Sequence, residues 1–311
     1  MRRALAITAA AAATILAAVA TGSQAARASF PGAAGGRLAF AIKDGSGISN
    51  IYSVKPDGNG LVRLTNSTAF DLCPDYSRDG RLITFCSNRS GTFQIWAMNA
   101  DGSNAHMVTN GNRFIFPDYS PDASKIAFSG TASATDVNQN VYVINADGTS
   151  LKQLTNGVGN NQYPTYSPNG KKIAFTSDRT GVEQVWVMNA DGSNQTQVSF
   201  SGVTEDQVPD WSPDGKKLAF AQGVSPNGHI WVINADGTNP VQLTSGPGSD
   251  FGTAWSPDGR QIAFVRDFAN GDRSVWTMNA DGSNQQRVLP IPLTEYVPTW
   301  ARTGYDRDGN D

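Results

Sequence analysis

Asp71, Asp206, Asp250 and Glu295 stand at one position of a repeating sequence, three residues before a recurring proline site, where the other two copies carry Asn161 and Phe114. One residue after that site come Asp75, Asp118 and Asp210. Carboxylates gathered around a common axis repel one another and hold protons more tightly unless positive charge offsets them. A hard cation such as Ca²⁺ is the natural occupant of such a mouth, because it accepts several oxygens in loose geometry. Asp71, Asp206, Asp250 and Glu295 are the expected calcium ligands, and a basic segment of a partner could play the same part. A scaffold role competes with both: the arginines of "SNRSG" (Arg89) and "SDRTG" (Arg179) could pair with these acids.

Other chemistry finds less material. Glycoside hydrolysis needs one acid and one base in distinct surroundings, and a repeat that generates equivalent carboxylates singles out neither. No Gly-x-Ser-x-Gly elbow occurs. The two histidines, His106 and His229, lie in different repeats at non-equivalent positions, so a metal site built on them is not expected. The terminal "DRDGND" begins like a calcium loop but lacks its remainder, and reads as a solvated tail. Cys73 and Cys86 flank the turn at Arg78 to Arg81, and counting outward from that turn sets them opposite each other. A cross-strand disulfide is the expectation, stabilising by about 2 to 3 kcal/mol for so short a loop.

The elements that position these residues follow from the period. An Asp-Gly pair recurs at Asp57, Asp101, Asp147, Asp191, Asp236 and Asp281, in steps of 44 to 46 residues, as "KPDG" once and "NADG" five times. A second phrase keeps the same step: "PDYSRDG" from Pro74, "PDYSPDA" from Pro117, "PTYSPNG" from Pro164, "PDWSPDG" from Pro209, "TAWSPDG" from Thr253 and "PTWARTG" from Pro298. Strand-like runs follow, ending on Phe40, Phe85, Phe128, Phe175, Phe220 and Phe264. Each period then holds four short strands, the pattern of a propeller blade, and six periods give an all-β, six-bladed ring of four-stranded antiparallel blades. The first repeat starts at its second strand and "YVPTWA" at Tyr296 is a first strand without a successor, so the C-terminal strand completes the N-terminal blade.

The run "P-x-W-S-P-D-G-x-x-I-A-F", followed by "S-D-R-T-G" and "V-W-V-M-N-A-D-G-S-N", resembles the TolB-type propeller repeat, a relative of WD-repeat propellers, over nearly all of residues 36–301. TolB itself carries an α/β domain before its propeller. Here the ring begins a few residues after the leader, so the resemblance implies the fold and leaves a Tol-Pal role open.

Both repeated turns fall on one face of such a ring, where Asp caps the turn and Gly takes the positive φ. Six near-identical copies point to scaffold. The seven tryptophans occupy only two repeat positions, which points to packing between blades. Variation is concentrated on the opposite face, where loops on a rigid scaffold carry function. Asp71, Asn161, Asp206, Asp250, Glu295, Arg89 and Arg179 are therefore the candidate ligand-binding residues, and no catalytic residue is identified.

Residues 1–28 read as an export signal, 29–35 as a short linker, 36–301 as the propeller and 302–311 as a polar tail. No second apolar stretch nears the roughly 20 residues needed to cross a bilayer. With 24 basic and 27 acidic residues, the basic stripe of a nucleic-acid binder is missing. The expectation is an exported monomer, in the periplasm, the cell envelope or the medium, that requires no cofactor and binds a protein, a peptide or an envelope component. The competing expectation is a hydrolase or lyase acting on an extracellular polysaccharide or peptide at the channel mouth.

Overall fold

The computed structural model describes residues 36–301 except 132, 134, 137, 158, 203–204, 224–226 and 290–297, and the side chain of residue 206. The expected leader, linker and tail lie outside the described residues, as does Glu295. The described chain contains no helix, hence none long and apolar enough to cross a membrane.

Six four-stranded antiparallel sheets form the ring. Blade 2 shows the plan: innermost strand Asp71–Tyr76, second strand Leu82–Ser87, third strand Gln94–Asn99 and outer strand His106–Met107. Blades 3 to 6 repeat it from innermost strands Arg113–Tyr119, Asn161–Tyr166, Asp206–Trp211 and Ser249–Trp255. Blade 1 is completed from the far end of the chain: Thr299–Trp300 pairs with Leu38–Lys43, setting Trp300 opposite Leu38. The expected closure is thus realised, and Leu38 and Phe40 of blade 1 share a core cluster with Ala254 and Val265 of blade 6.

Sheets packed on both faces must be apolar on both, and the second strands read accordingly: Lys172–Ser177 is buried at every position after its first. The phenylalanine of each second strand is at most 1% exposed and pairs with an aromatic residue of the third strand, as Phe85 does with Trp96 and Phe175 with Trp186. Truncating one such residue to alanine costs about 3 to 5 kcal/mol.

The two repeated turns are local constructions. In blade 2 the Asp101 carboxylate accepts from the Ser103 backbone N–H at 2.9 Å and its hydroxyl at 2.6 Å. Gly102 has φ 86°, and a Cβ there would stand 2.4 Å from the Leu64 carbonyl of blade 1. Its glycine thus lets the turn seat against the preceding blade. The other turn carries Gly80 at φ 68°, whereas blade 3 places Ala123 there at φ 56°.

Innermost strands depart from simple hairpin counting. Blades 2 to 6 each carry a bulge before the proline site, where Cys73, Phe116, Tyr163, Val208 and Gly252 adopt φ between 52° and 62°. Asp75 still faces Thr84, as counting from the turn requires, but beyond the bulge Leu72 faces Cys86. The expected opposition of Cys73 and Cys86 is thereby corrected: one inserted residue shifts the register, and the two buried thiols are not joined in the structure.

Candidate functional site

The carboxylate positions at the start of the innermost strands are structural clamps wherever their side chains are described. Asp71, fully buried, lies opposite Ser87, accepts from its hydroxyl at 2.6 Å and pairs with Arg89 at 2.7 Å. Asp250 takes Arg266 through both oxygens, at 2.6 and 2.8 Å. In blade 4 the amide oxygen of Asn161 accepts from the Ser177 hydroxyl at 2.9 Å and from the Arg179 guanidinium at 2.5 Å. Asp206 opens the innermost strand of blade 5 opposite Gln222. Phe114, the fifth copy described, packs edge-on against Phe128 at 5.0 Å.

For two of the four expected calcium ligands an arginine takes the place the cation was expected to hold, while the Asp206 side chain and Glu295 lie outside the described residues. Arginine already offsets the charge of Asp71 and Asp250, within separate blades. Among the described residues no three His, Cys, Asp or Glu side chains are grouped to hold a metal ion. The scaffold alternative weighed from the sequence, pairing with Arg89 and Arg179, describes blades 2 and 4.

Each arginine of these clamps also lies over an aromatic pair of its own blade. The Arg89 carbon centre sits 4.7 Å from the Trp96 ring, Arg179 4.6 Å from Trp186 and Arg266 5.0 Å from Trp276. Such contacts contribute roughly 0.5 to 2 kcal/mol each. Trp96, Trp186 and Trp276 therefore serve as arginine platforms as well as packing groups. First-strand ones do link blades: the Trp211 indole N–H donates to the Thr165 carbonyl at 3.2 Å. Arg266, Ser87, Ser177, Gln195 and Gln285 were missed in the sequence reading. Part of the signal was the pleat: Ser87, Ser177 and Arg266 lie two residues beyond Phe85, Phe175 and Phe264, on one face of the second strand, and Arg89 and Arg179 stand in the turns that follow it.

The residue after the proline site behaves differently. Asp75, Asp118 and Asp210 line the central channel, in which Thr165, Ala254 and Thr299 take the equivalent places. An innermost strand offers the channel unpaired backbone N–H groups, and these side chains answer those of the next blade. The Tyr119 N–H donates to Asp75 at 3.0 Å, that of Tyr166 to Asp118 at 2.8 Å and that of Trp255 to Asp210 at 2.6 Å. Across the closure, the Tyr76 N–H donates to the Thr299 hydroxyl, which donates to Asp75 at 2.9 Å. Burial holds the Asp118 carboxyl well above the usual carboxylate range, the nearby charges of Asp75 and Asp210 add to this, and the Tyr166 N–H and Thr165 hydroxyl partly oppose it.

The channel encloses about 150 Å³, less than the roughly 300 Å³ at which small-molecule pockets begin. Arg78 crosses its mouth on the turn face and donates to the Pro168 carbonyl of blade 4. With its acids committed to backbone, the channel wall joins blades. His106 is exposed, with Nδ1 2.9 Å from the Asn104 carbonyl, and His229 opens the third strand of blade 5 opposite Gln222.

What differs among blades lies on the face away from the turns. Phe200 in the connection from blade 4 to blade 5 is 74% exposed, and Phe70, between blades 1 and 2, is 37% exposed. Equivalent to Phe200 are Asn66, Asn110, Asn156 and Ser245.

Comparison with known proteins gives a consistent family. The model described as TolB beta propeller domain matches residues 7–129, 111–208 and 204–305. A protein TolB homolog of Chlorobium luteolum is 31% identical over 52% of this chain and 36% of its own length. The Tol-Pal system protein TolB of Nitratidesulfovibrio vulgaris is 30% identical over 46% of this chain and 32% of its own length. The matched stretches thus span about a third of these relatives. Among solved structures, TolB from Acinetobacter baumannii superposes with a TM-score of 0.75 at 22% identity, covering 86% of this chain and 67% of that one, a likeness of fold.

Proposed function

The chain belongs to the TolB β-propeller domain family, and from that premise we propose that it is an exported, non-catalytic recognition propeller that binds a protein or peptide of the cell envelope. The binding surface is the face opposite the repeated turns. One observation carries the reading: Phe200 stands nearly free in solvent at a position where four other blades carry Asn or Ser. An aromatic side chain at the surface of a rigid scaffold gives up little entropy on binding and buries a large area, which is why such residues anchor interfaces.

Export rests on the character of residues 1–28. The Tol-Pal setting rests on the name of a relative matched over a third of its length. A polymer-cleaving activity has less support, because the described channel carboxylates are engaged with backbone N–H groups rather than set as an acid and a base.

The test is capture from envelope extract by the immobilised propeller and by Phe200→Asn, which restores the residue that three other blades use. Loss of the captured component with an unchanged melting curve supports the reading. Equal capture by both proteins, or release of product from an extracellular polysaccharide or peptide, refutes it.

A further inference from the structure

The groove between blades 1 and 2 differs from its counterparts by one side chain. In blade 4, Gln195 lies four residues beyond Asp191, and its amide is fully engaged: Oε1 accepts from the Arg179 guanidinium at 2.7 Å, while Nε2 donates to the carbonyls of Gly192 at 3.0 Å and Leu154 at 3.3 Å. Blade 6 repeats this with Gln285, whose Oε1 accepts from Arg266 at 3.0 Å and whose Nε2 donates to the Gly282 carbonyl at 3.1 Å. A primary carboxamide therefore fills the same niche twice, held each time by an arginine and a turn glycine and, in blade 4, by the preceding blade as well.

Blade 2 has every part of this niche except the amide. Arg89 lies on Trp96 as Arg179 lies on Trp186. Gly102 matches Gly192, and Leu64 approaches it as Leu154 approaches Gly192. Four residues beyond Asp101, however, stands Ala105, exposed to solvent. A cavity of about 380 Å³ opens there, lined by Leu64, Arg89, Gly102, Ala105 and the connection at 65–68. Arg89 donates through Nε to Ser87 and through one terminal nitrogen to Asp71. Its other terminal nitrogen, the counterpart of the one that holds Gln195, makes no hydrogen bond to the described residues.

We propose that this groove is a binding site for a primary carboxamide, the side chain of a glutamine or asparagine presented by a partner polypeptide. The electrostatics select that group. Asp71 already compensates Arg89, so the site does not call for an anion, and a carboxylate would meet the Leu64 and Gly102 carbonyls. An ammonium would meet the guanidinium. A neutral group with one acceptor and two donors matches all three walls. Blade 4 uses both amide hydrogens, so a secondary amide, such as the N-acetyl group of an amino sugar, forfeits one of these bonds. The cavity exceeds one amide and leaves room for the stem of the incoming side chain. The site stands independently of the recognition surface at Phe200.

The experiment is an NMR titration of the ¹⁵N-labelled propeller with propionamide, N-methylpropionamide and propionate. Propionamide should give saturable shifts confined to residues 64–68, the Arg89 side chain and residues 102–105. N-methylpropionamide should bind several-fold more weakly and propionate should leave these signals unmoved. Ala105→Gln, which supplies the amide from within, should weaken propionamide by about tenfold or more, and Ala105→Leu, which fills the space without an amide, should do the same. Both substitute an exposed alanine and should fold. Absence of saturable shifts, equal response to propionate, or undiminished binding in Ala105→Gln would overturn the assignment.

Discussion

Aspartates on the two sides of this ring are satisfied in opposite ways. On the turn face, Asp101, Asp147, Asp191, Asp236 and Asp281 each take a hydroxyl and a backbone N–H from the residue two positions on. The hydroxyls of Ser193 and Thr149 hold Asp191 and Asp147 below the usual carboxylate range. Toward the channel and the opposite face, Asp71, Asp118 and Asp250 find partners 16 to 48 residues away, and Asp118 is pushed in the other direction by burial. One residue type thus serves local turn closure on one side and joins strands and blades on the other.

The deepest break of that contrast is removal of residues from Pro298 onward. It deletes Thr299–Trp300, takes the Thr299 hydroxyl from Tyr76 and Asp75, and uncovers the core shared by blades 1 and 6. Cooperative thermal unfolding should be lost, whereas removal of 306–311 should leave it nearly unchanged.

Asp250→Ala comes next. It leaves the Arg266 guanidinium, 9% exposed, without its carboxylate, and the urea midpoint should report a loss of about 3 to 5 kcal/mol. Asp250→Asn should lose much less, because blade 4 already tolerates Asn161 beneath Arg179. The same alanine substitution at Asp191 should have a far smaller effect, and a comparable loss there would erase the distinction between the faces.

A pH series sharpens it further. Asp118 binds its proton more tightly folded than unfolded, so its contribution to stability is complete below the unfolded value near 3.9 and declines as pH rises toward its raised folded value. Asp118→Asn keeps an acceptor for Tyr166 and should equal or exceed the parent in melting temperature at pH 7, the advantage shrinking toward pH 4. Asp191 has the opposite sign: its contribution is present above about 3.9 and fades as pH falls. A uniform shift in Asp118→Asn at every pH would contradict this.

The smallest effect belongs to Ala123→Gly. Relief of a left-handed alanine costing about 1 to 2 kcal/mol, less the freer unfolded chain, should raise stability by up to about 1 kcal/mol in urea unfolding.

Fold and candidate site were readable to different depths. Blade number, strand order, ring closure and turn chemistry could be read because each is written in a repeat or within a few residues. The acids Asp71 and Asp250 were found, but the arginine that holds Asp250 was not. Arg266 reaches Asp250 from a second-strand position that the repeat elsewhere gives to Ser87 and Ser177, so comparing copies pointed away from it. The niche at Ala105 was equally hidden, because an alanine four residues past a turn acquires meaning only beside the Gln195 and Gln285 contacts.

Periodicity by itself determined the architecture, since a repeat that cannot bury its faces alone must stack on copies of itself, and six copies with a split first blade admit one closed ring. Tertiary structure alone decided which partner each carboxylate takes and where register shifts. A bulge adds one residue with no compositional mark, yet it shifts the register so that Leu72, not Cys73, faces Cys86. The residues held at positive φ are tied to the preceding blade, as the Tyr163 N–H donates to the Ser129 hydroxyl at 3.0 Å and the Val208 N–H to the Thr176 hydroxyl at 3.3 Å, partners 34 and 32 positions away that only the folded ring brings together.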